Sequence, residues 1–158
     1  MPHLTLSMIV KNEEKYLQEC LESVQNIADE IVIVDTGSID NTLEIAKKFN
    51  SKIFNYKWTN DFADARNFAL SKSTGNWILY LDADERISTK SKNEILNIIN
   101  KWGSSGIAIP TGKDRLAVYC NVKSVDNNLG FPNLMKYVRL FRNDPKIKFT
   151  GAVHEQID

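Results

Sequence analysis

Three carboxylates, Asp82, Asp84 and Glu85, fall within four residues at the end of the apolar run in "NWILYLDADERI", Asn76 to Ile87. Burial explains Trp-Ile-Leu-Tyr-Leu, but it gives no reason for clustered negative charge where the run stops. Asp82 and Asp84 are two apart, so in an extended segment they face the same way. Two such carboxylates repel unless a cation lies between them. An all-oxygen ligand set favours a hard ion such as Mg²⁺ or Mn²⁺, which keeps water and bridges substrate phosphates. The alternative is a solvated, Asp-rich turn capping the next helix. What favours the cation is the company this turn keeps.

Two more polar clusters follow apolar strands. "LTLSMIV", Leu4 to Val10, reads as a buried strand running into "KNEE". Tyr16, Leu17, Cys20, Leu21 and Val24 then recur at helical spacing. "EIVIVDTGSIDNT" repeats the arrangement: a strand over Ile31 to Val34, then Asp-Thr-Gly-Ser, then a helix with Asp40 as N-cap and Leu43, Ile45, Ala46 and Phe49 inward. "SKIFNY" is a third strand, "DFADARNFALSKS" a third helix stopped by Gly75, and "NWILYL" a fourth strand. "STKSKNEILNIINKW" is a further helix opened by Ser88 or Thr89. Strands that are apolar on both faces and alternate with helices predict a doubly wound α/β layer with a parallel sheet. Ligands of such sheets bind beyond the carboxyl ends of the strands, so "KNEE", "DTGS" and "DADE" are expected to converge.

The rhythm changes after Gly103, where "GIAIPTGKDRLAVYCNV" and "KYVRLFRN" read as strands joined by loops. The closing "FTGAVHEQID" ends without a terminating element, so the domain either finishes on a strand or is a piece of something longer. The 158 residues suit one domain. Lys+Arg and Asp+Glu balance at 20 each, which excludes a global field for nucleic acid or an anionic membrane. Two cysteines make no disulfide framework and fit a reducing, cytoplasmic setting. No window has the length of a membrane span, and the start lacks the basic region and apolar length of a signal peptide. Any peripheral membrane association would come through a region outside this chain.

Taken in order, "SMIVKNEE", "DEIVIVDTGSIDNT", "DFADARNFAL", "WILYLDADE" and "RLFRN…FTGAVHEQI" resemble the family 2 glycosyltransferases of GT-A fold. The likeness is nearest the branch with bacterial lipooligosaccharide β-1,4-glucosyltransferases, enzymes of lipopolysaccharide biosynthesis, and it runs from about Leu4 to Ile157. It implies a mixed C-terminal strand region, with 1–102 as the nucleotide-binding half and 103–158 as the acceptor-side half of one catalytic domain. It also implies a nucleotide-sugar donor such as UDP-glucose, a divalent metal (Mn²⁺ or Mg²⁺), inversion at the anomeric carbon, and a saccharide, lipid-linked or peptide acceptor.

In those terms Asp84 is the first candidate for direct metal ligation, and Asp82 either joins it or holds the ribose. Glu85 is the weakest of the three, a first-turn charge complementing the next helix's dipole. Asp35 would accept hydrogen bonds from the base or ribose, with Ser38 beside it; an Asx-turn onto Gly37 and Ser38 is the other reading, and the two can coexist. Asn12 and Glu13 would flank the nucleoside or simply cap a helix. Arg66 would pair with Asp82 or the diphosphate, while Asn67 reads as structural. His154 would complete the metal site, and Glu155 is the candidate general base. Adjacent side chains in an extended segment point oppositely, so His154 and Glu155 are not expected both to face the metal. Asp126 is a remote alternative base. "GKDRL" and "SVDNNLGFPN" are polar loops on the acceptor's side.

Other classes fare worse. A nucleotide-cofactor oxidoreductase needs a Gly-x-Gly-x-x-Gly turn after the first strand, and "VKNEEK" has no glycine. A phosphatase with an Asp nucleophile would place it after that same strand, which ends in "SMIVKN". The rival that stays open is a nucleotide-sugar-binding module without turnover.

Overall fold

A computed structural model describes residues 3–102, 117–123, 134–153 and 155–157. His154, Asp126 and the loops "GKDRL" and "SVDNNLGFPN" lie outside the described residues. The elements in chain order are β1 (Leu4–Val10), α1 (Leu17–Val24), β2 (Glu30–Asp35), α2 (Thr42–Lys48), β3 (Lys52–Asn55) and α3 (Phe62–Lys72). They are followed by β4 (Trp77–Tyr80), α4 (Thr89–Trp102), β5 (Ala117–Lys123), β6 (Leu134–Arg142), β7 (Phe149–Thr150) and β8 (Gln156–Ile157).

A six-stranded sheet runs in the order β3-β2-β1-β4-β6-β5, and β7 pairs with β8 separately. β3, β2, β1 and β4 are parallel neighbours, whereas β6 is antiparallel to both β4 and β5. The expected parallel sheet therefore carries an antiparallel hairpin on one side, the mixed region anticipated after Gly103. Chain order reverses at β1, between β2 and β4, which is where an open α/β sheet leaves a crevice.

The period of two along the strands sorts the core. Trp77 and Leu79 of β4 face the main cluster, with Leu6 and Met8 of β1, Leu17 and Leu21 of α1, Ile45 of α2 and Ile95 and Ile99 of α4. Ile78 and Tyr80, one residue out of step, join Ala63, Phe141, Ile147 and Phe149 in a second cluster. The α3 helix meets β1 and β2, and its buried positions are Ala63, Ala65, Arg66 and Ala69. Three small side chains bring its axis close to the sheet, and the one large buried residue among them is a cation.

Three local details differ from expectation. The N-cap of α2 is Asn41; Asp40 instead accepts from Thr42 N–H (3.0 Å) and Oγ1 (2.5 Å) one position earlier. The C-cap of α3 is Ser73, and Gly75 serves a close approach: a Cβ there would lie 2.6 Å from Thr5 Oγ1 and 2.7 Å from His3 O. Glu85 is not in the first turn of α4, which begins at Thr89. Ser88 opens that helix, as its Oγ accepts from Ser91 N–H at 3.1 Å.

Candidate active site

Beyond the carboxyl ends of β1, β2 and β4 lies a cavity of about 610 Å³. Val10, Lys11 and Glu13 enter it from the first strand end, Thr36 from the second, and Asp82, Ala83 and Asp84 from the fourth. Arg66 and Phe62 of α3, with Trp58 and Tyr16, complete the walls. The three polar clusters thus meet, as a doubly wound sheet requires.

The turn from Asp82 to Glu85 is locked at both ends. Glu85 N–H donates to Asp82 O at 3.0 Å, and Asp82 N–H returns the bond to Glu85 Oε2 at 2.9 Å. Arg86 braces it from outside, donating to Ala83 O at 2.8 Å and to Tyr16 O at 2.8 Å. Asp84 stands at the apex of this turn, exposed, and among the described residues its side chain makes no hydrogen bond or ion pair.

Asp82 is held very differently. Arg66 Nη2 donates to its Oδ1 at 2.7 Å, and Arg139 Nη2 to its Oδ2 at 3.2 Å. Arg139 Nη2 also reaches Glu85 Oε1 at 2.7 Å, and Arg66 Nε reaches Glu155 Oε1 at 2.5 Å. Three carboxylates therefore share two guanidiniums. Both guanidiniums lie over the Tyr80 ring, 5.0 Å away for Arg66 and 4.4 Å for Arg139, so the aromatic cluster below supports the buried cations. Burial alone would raise the Asp82 pKa, but Arg66 and then Arg139 outweigh it and hold the carboxyl below its usual range. At Glu85 burial wins over Arg139, and the pKa rises. Burial also raises Glu13, with the Asp84, Asp40 and Asp82 charges adding to it.

The remaining candidates shape the walls. Asp35 accepts from Gly37 N–H (3.1 Å) and Ser38 N–H (3.1 Å), the Asx-turn weighed for it, and is buried. Asn12 adopts φ 57°, and its Oδ1 accepts from Ile39 N–H at 2.8 Å while its own N–H donates to Ser38 Oγ at 2.9 Å. Asn12, Asp35 and Ser38 thus knit the first two strand-end loops together behind the cavity, and Glu13 is the member that lines it. Neither Asn12 nor Glu13 caps α1, whose N-cap is Tyr16. Asn67 is structural as expected: its amide donates to Phe149 O and accepts from Phe149 N–H, both at 2.9 Å. That clamp fixes β7, and the β7–β8 pair folds Glu155 back onto Arg66.

Sequence reasoning missed Arg139 and undervalued Glu85. The available signal was an Arg inside the apolar strand "YVRLF": on a buried strand a charge needs an acid opposite, and "DADE" supplies it. Lys11, which also lines the cavity, was passed over as part of "KNEE".

Residues 5–145 match the family model described as "Glycosyl transferase family 2". A TPR repeat-containing protein of Synechococcus elongatus is 35% identical over 158 residues, 100% of this chain and 36% of that protein. The SPbeta prophage-derived glycosyltransferase SunS of Bacillus subtilis is 32% identical over 98% of this chain and 35% of its own length. The chain thus spans about a third of the length of these relatives. Among solved structures, S. aureus TarS in complex with UDP matches with TM-score 0.56 and 28% identity, over 63% of this chain and 32% of that one. TarS residues 1–349 without a named ligand match with TM-score 0.62 over 94% of this chain and 50% of that one, at 22% identity, a likeness of fold. No helix of the described residues is long and apolar enough to cross a membrane.

Proposed function

The chain belongs to glycosyl transferase family 2, and from that premise we propose that its cavity binds a nucleotide-diphosphate sugar, a UDP-hexose, and transfers the sugar with inversion to a saccharide, lipid-linked or peptide acceptor. The observation that carries this reading is the division of labour among the acids: Asp82 is ion-paired with two arginines, while Asp84, at the cavity wall, has no hydrogen bond or ion pair among the described residues. An unpaired carboxylate facing an anionic ligand is unfavourable without a cation, and a single carboxylate with water and phosphate oxygens fits how Mg²⁺ or Mn²⁺ binds. Among the described residues no group of three or more His, Cys, Asp or Glu side chains is placed to hold a metal ion. Asp84 would hold the ion, and His154 is retained as a second ligand. The ion supplies charge neutralisation of the departing diphosphate.

The chain's own residues do the rest. Lys11 and Arg66 offer positive charge to the diphosphate, and Asp82, anchored by Arg66, accepts from the donor's ribose. Glu13, Asp35 and Ser38 shape the nucleoside end, and Asn12 holds their loops. The acceptor oxygen attacks the anomeric carbon as the bond to the diphosphate breaks. The electron pair leaves with the nucleoside diphosphate, and the acceptor proton passes to Glu155.

One observation favours the rival reading, a binding module without turnover. Glu155 is ion-paired to Arg66, and a base so engaged must be released before it can accept a proton. Isothermal titration of UDP-sugars with and without Mn²⁺, together with an assay for released UDP, separates the two. Turnover that is Mn²⁺-dependent and lost in Asp84→Asn supports transfer. Binding with no UDP release in the presence of a panel of acceptors supports the module, and binding unaffected by both Mn²⁺ and Asp84→Asn refutes the site.

A further inference from the structure

We propose that Arg139 is a positioning residue that withholds Asp82 from the cation, leaving Asp84 as the one carboxylate of the turn that ligates it; this deepens the reading above and rests on it. Two same-side aspartates two residues apart would ordinarily be expected to share an ion. Here Asp82 has a guanidinium on each oxygen, from Arg66 on Oδ1 and Arg139 on Oδ2. Arg66 cannot do this alone, because its charge is divided between Asp82 and Glu155. Arg139 is also shared, but both of its acids belong to this turn: Nη2 carries two hydrogens and reaches Glu85 Oε1 at 2.7 Å and Asp82 Oδ2 at 3.2 Å. Its buried Nε has no hydrogen-bond partner among the described residues, so the side chain reaches no third acid there. Its side chain is 10% exposed and seated on Tyr80.

The consequence concerns when the cation binds. A turn offering one free carboxylate has little hold on a hydrated divalent ion by itself, so most of the coordination must come from the donor's phosphates. Arg139 thereby ties cation binding to donor binding. The residue belongs to β6, outside the parallel half of the sheet, so the antiparallel hairpin sets the charge of the donor cavity.

Mn²⁺ titration followed by electron paramagnetic resonance, with and without UDP, tests this on the full chain. The expected pattern is that Asp84→Asn loses Mn²⁺ binding while Asp82→Asn keeps wild-type Mn²⁺ affinity without UDP. Arg139→Met should bind Mn²⁺ about tenfold more tightly than wild type without UDP, as a second carboxylate becomes available a few ångströms away. Asp82→Asn added to Arg139→Met should abolish that gain. The proposal is overturned if Asp82→Asn weakens Mn²⁺ binding as much as Asp84→Asn, or if folded Arg139→Met shows no gain. Should Arg139→Met fail to fold, the two aspartate variants decide the matter alone. An Asp84→Asn protein that binds Mn²⁺ like wild type, even with UDP, would instead sink the cation reading itself, and this inference with it.

Discussion

Glu30 opens β2 at the end of the sheet opposite the cavity, and replacing it with Gln should destabilise the fold without touching the site. Its side chain is 3% exposed and accepts from Thr5 Oγ1 (2.5 Å), Lys52 Nζ (2.7 Å), Thr74 N–H (2.8 Å) and Thr74 Oγ1 (2.9 Å). Burial pushes its pKa up, but these donors override the penalty and bring it from 4.5 down to about 2. That fall corresponds to roughly 3 kcal/mol of folding free energy. Because the folded-state pKa lies below the unfolded one, this stability is fully present above pH 4.5 and drains away as pH falls toward 2. Gln keeps the shape and mimics the protonated acid. Urea denaturation of wild type and Glu30→Gln should therefore show a gap of about 3 kcal/mol at pH 7, shrinking to about half at pH 3. UDP affinity should be unchanged. A gap that is equal at the two pH values, or absent at pH 7, refutes the claim that a buried, hydrogen-bonded carboxylate holds this end of the sheet.

Three further outcomes are expected. Gly75→Ala pushes a methyl to within 2.8 Å of Thr5 N and closer still to Thr5 Oγ1 and His3 O, so backbone must move; thermal denaturation should report a loss of about 1–3 kcal/mol. Asn67→Ala removes both bonds that pin β7, costing about 2 kcal/mol locally; hydrogen exchange should accelerate across residues 149–157, and UDP release should fall more than UDP binding. Cys20, whose thiol burial pushes up to about 12, should resist iodoacetamide at pH 8 in the native protein and react once urea is added, as read by peptide mass spectrometry.

Much of the fold was legible because it rests on local patterns. Leu4 to Val10 is a strand by its continuous apolar run, and Leu17, Cys20, Leu21 and Val24 are the buried face of α1 by their spacing. The convergence of "KNEE", "DTGS" and "DADE" follows from topology alone, since parallel strands joined by helices bring their carboxyl ends to one side. Gly75 was misread because helix stops and close backbone contacts use the same residue. The contact that demands it comes from β1, 70 residues away in sequence.

What the chain determines by itself, then, is which polar clusters gather at the crevice: "KNEE" after β1, "DTGS" after β2 and "DADE" after β4. Which acid is free and which is bound was decided only in three dimensions. Asp82 and Asp84 are the same chemical group two residues apart, and nothing local distinguishes them. Arg66 and Arg139 distinguish them by pairing with Asp82, the first from a helix 16 residues earlier and the second from an antiparallel strand 57 residues further along the chain. Charge compensation falls off with distance through space, not along the sequence, so the partner that settles a carboxylate's role can come from anywhere the fold brings near.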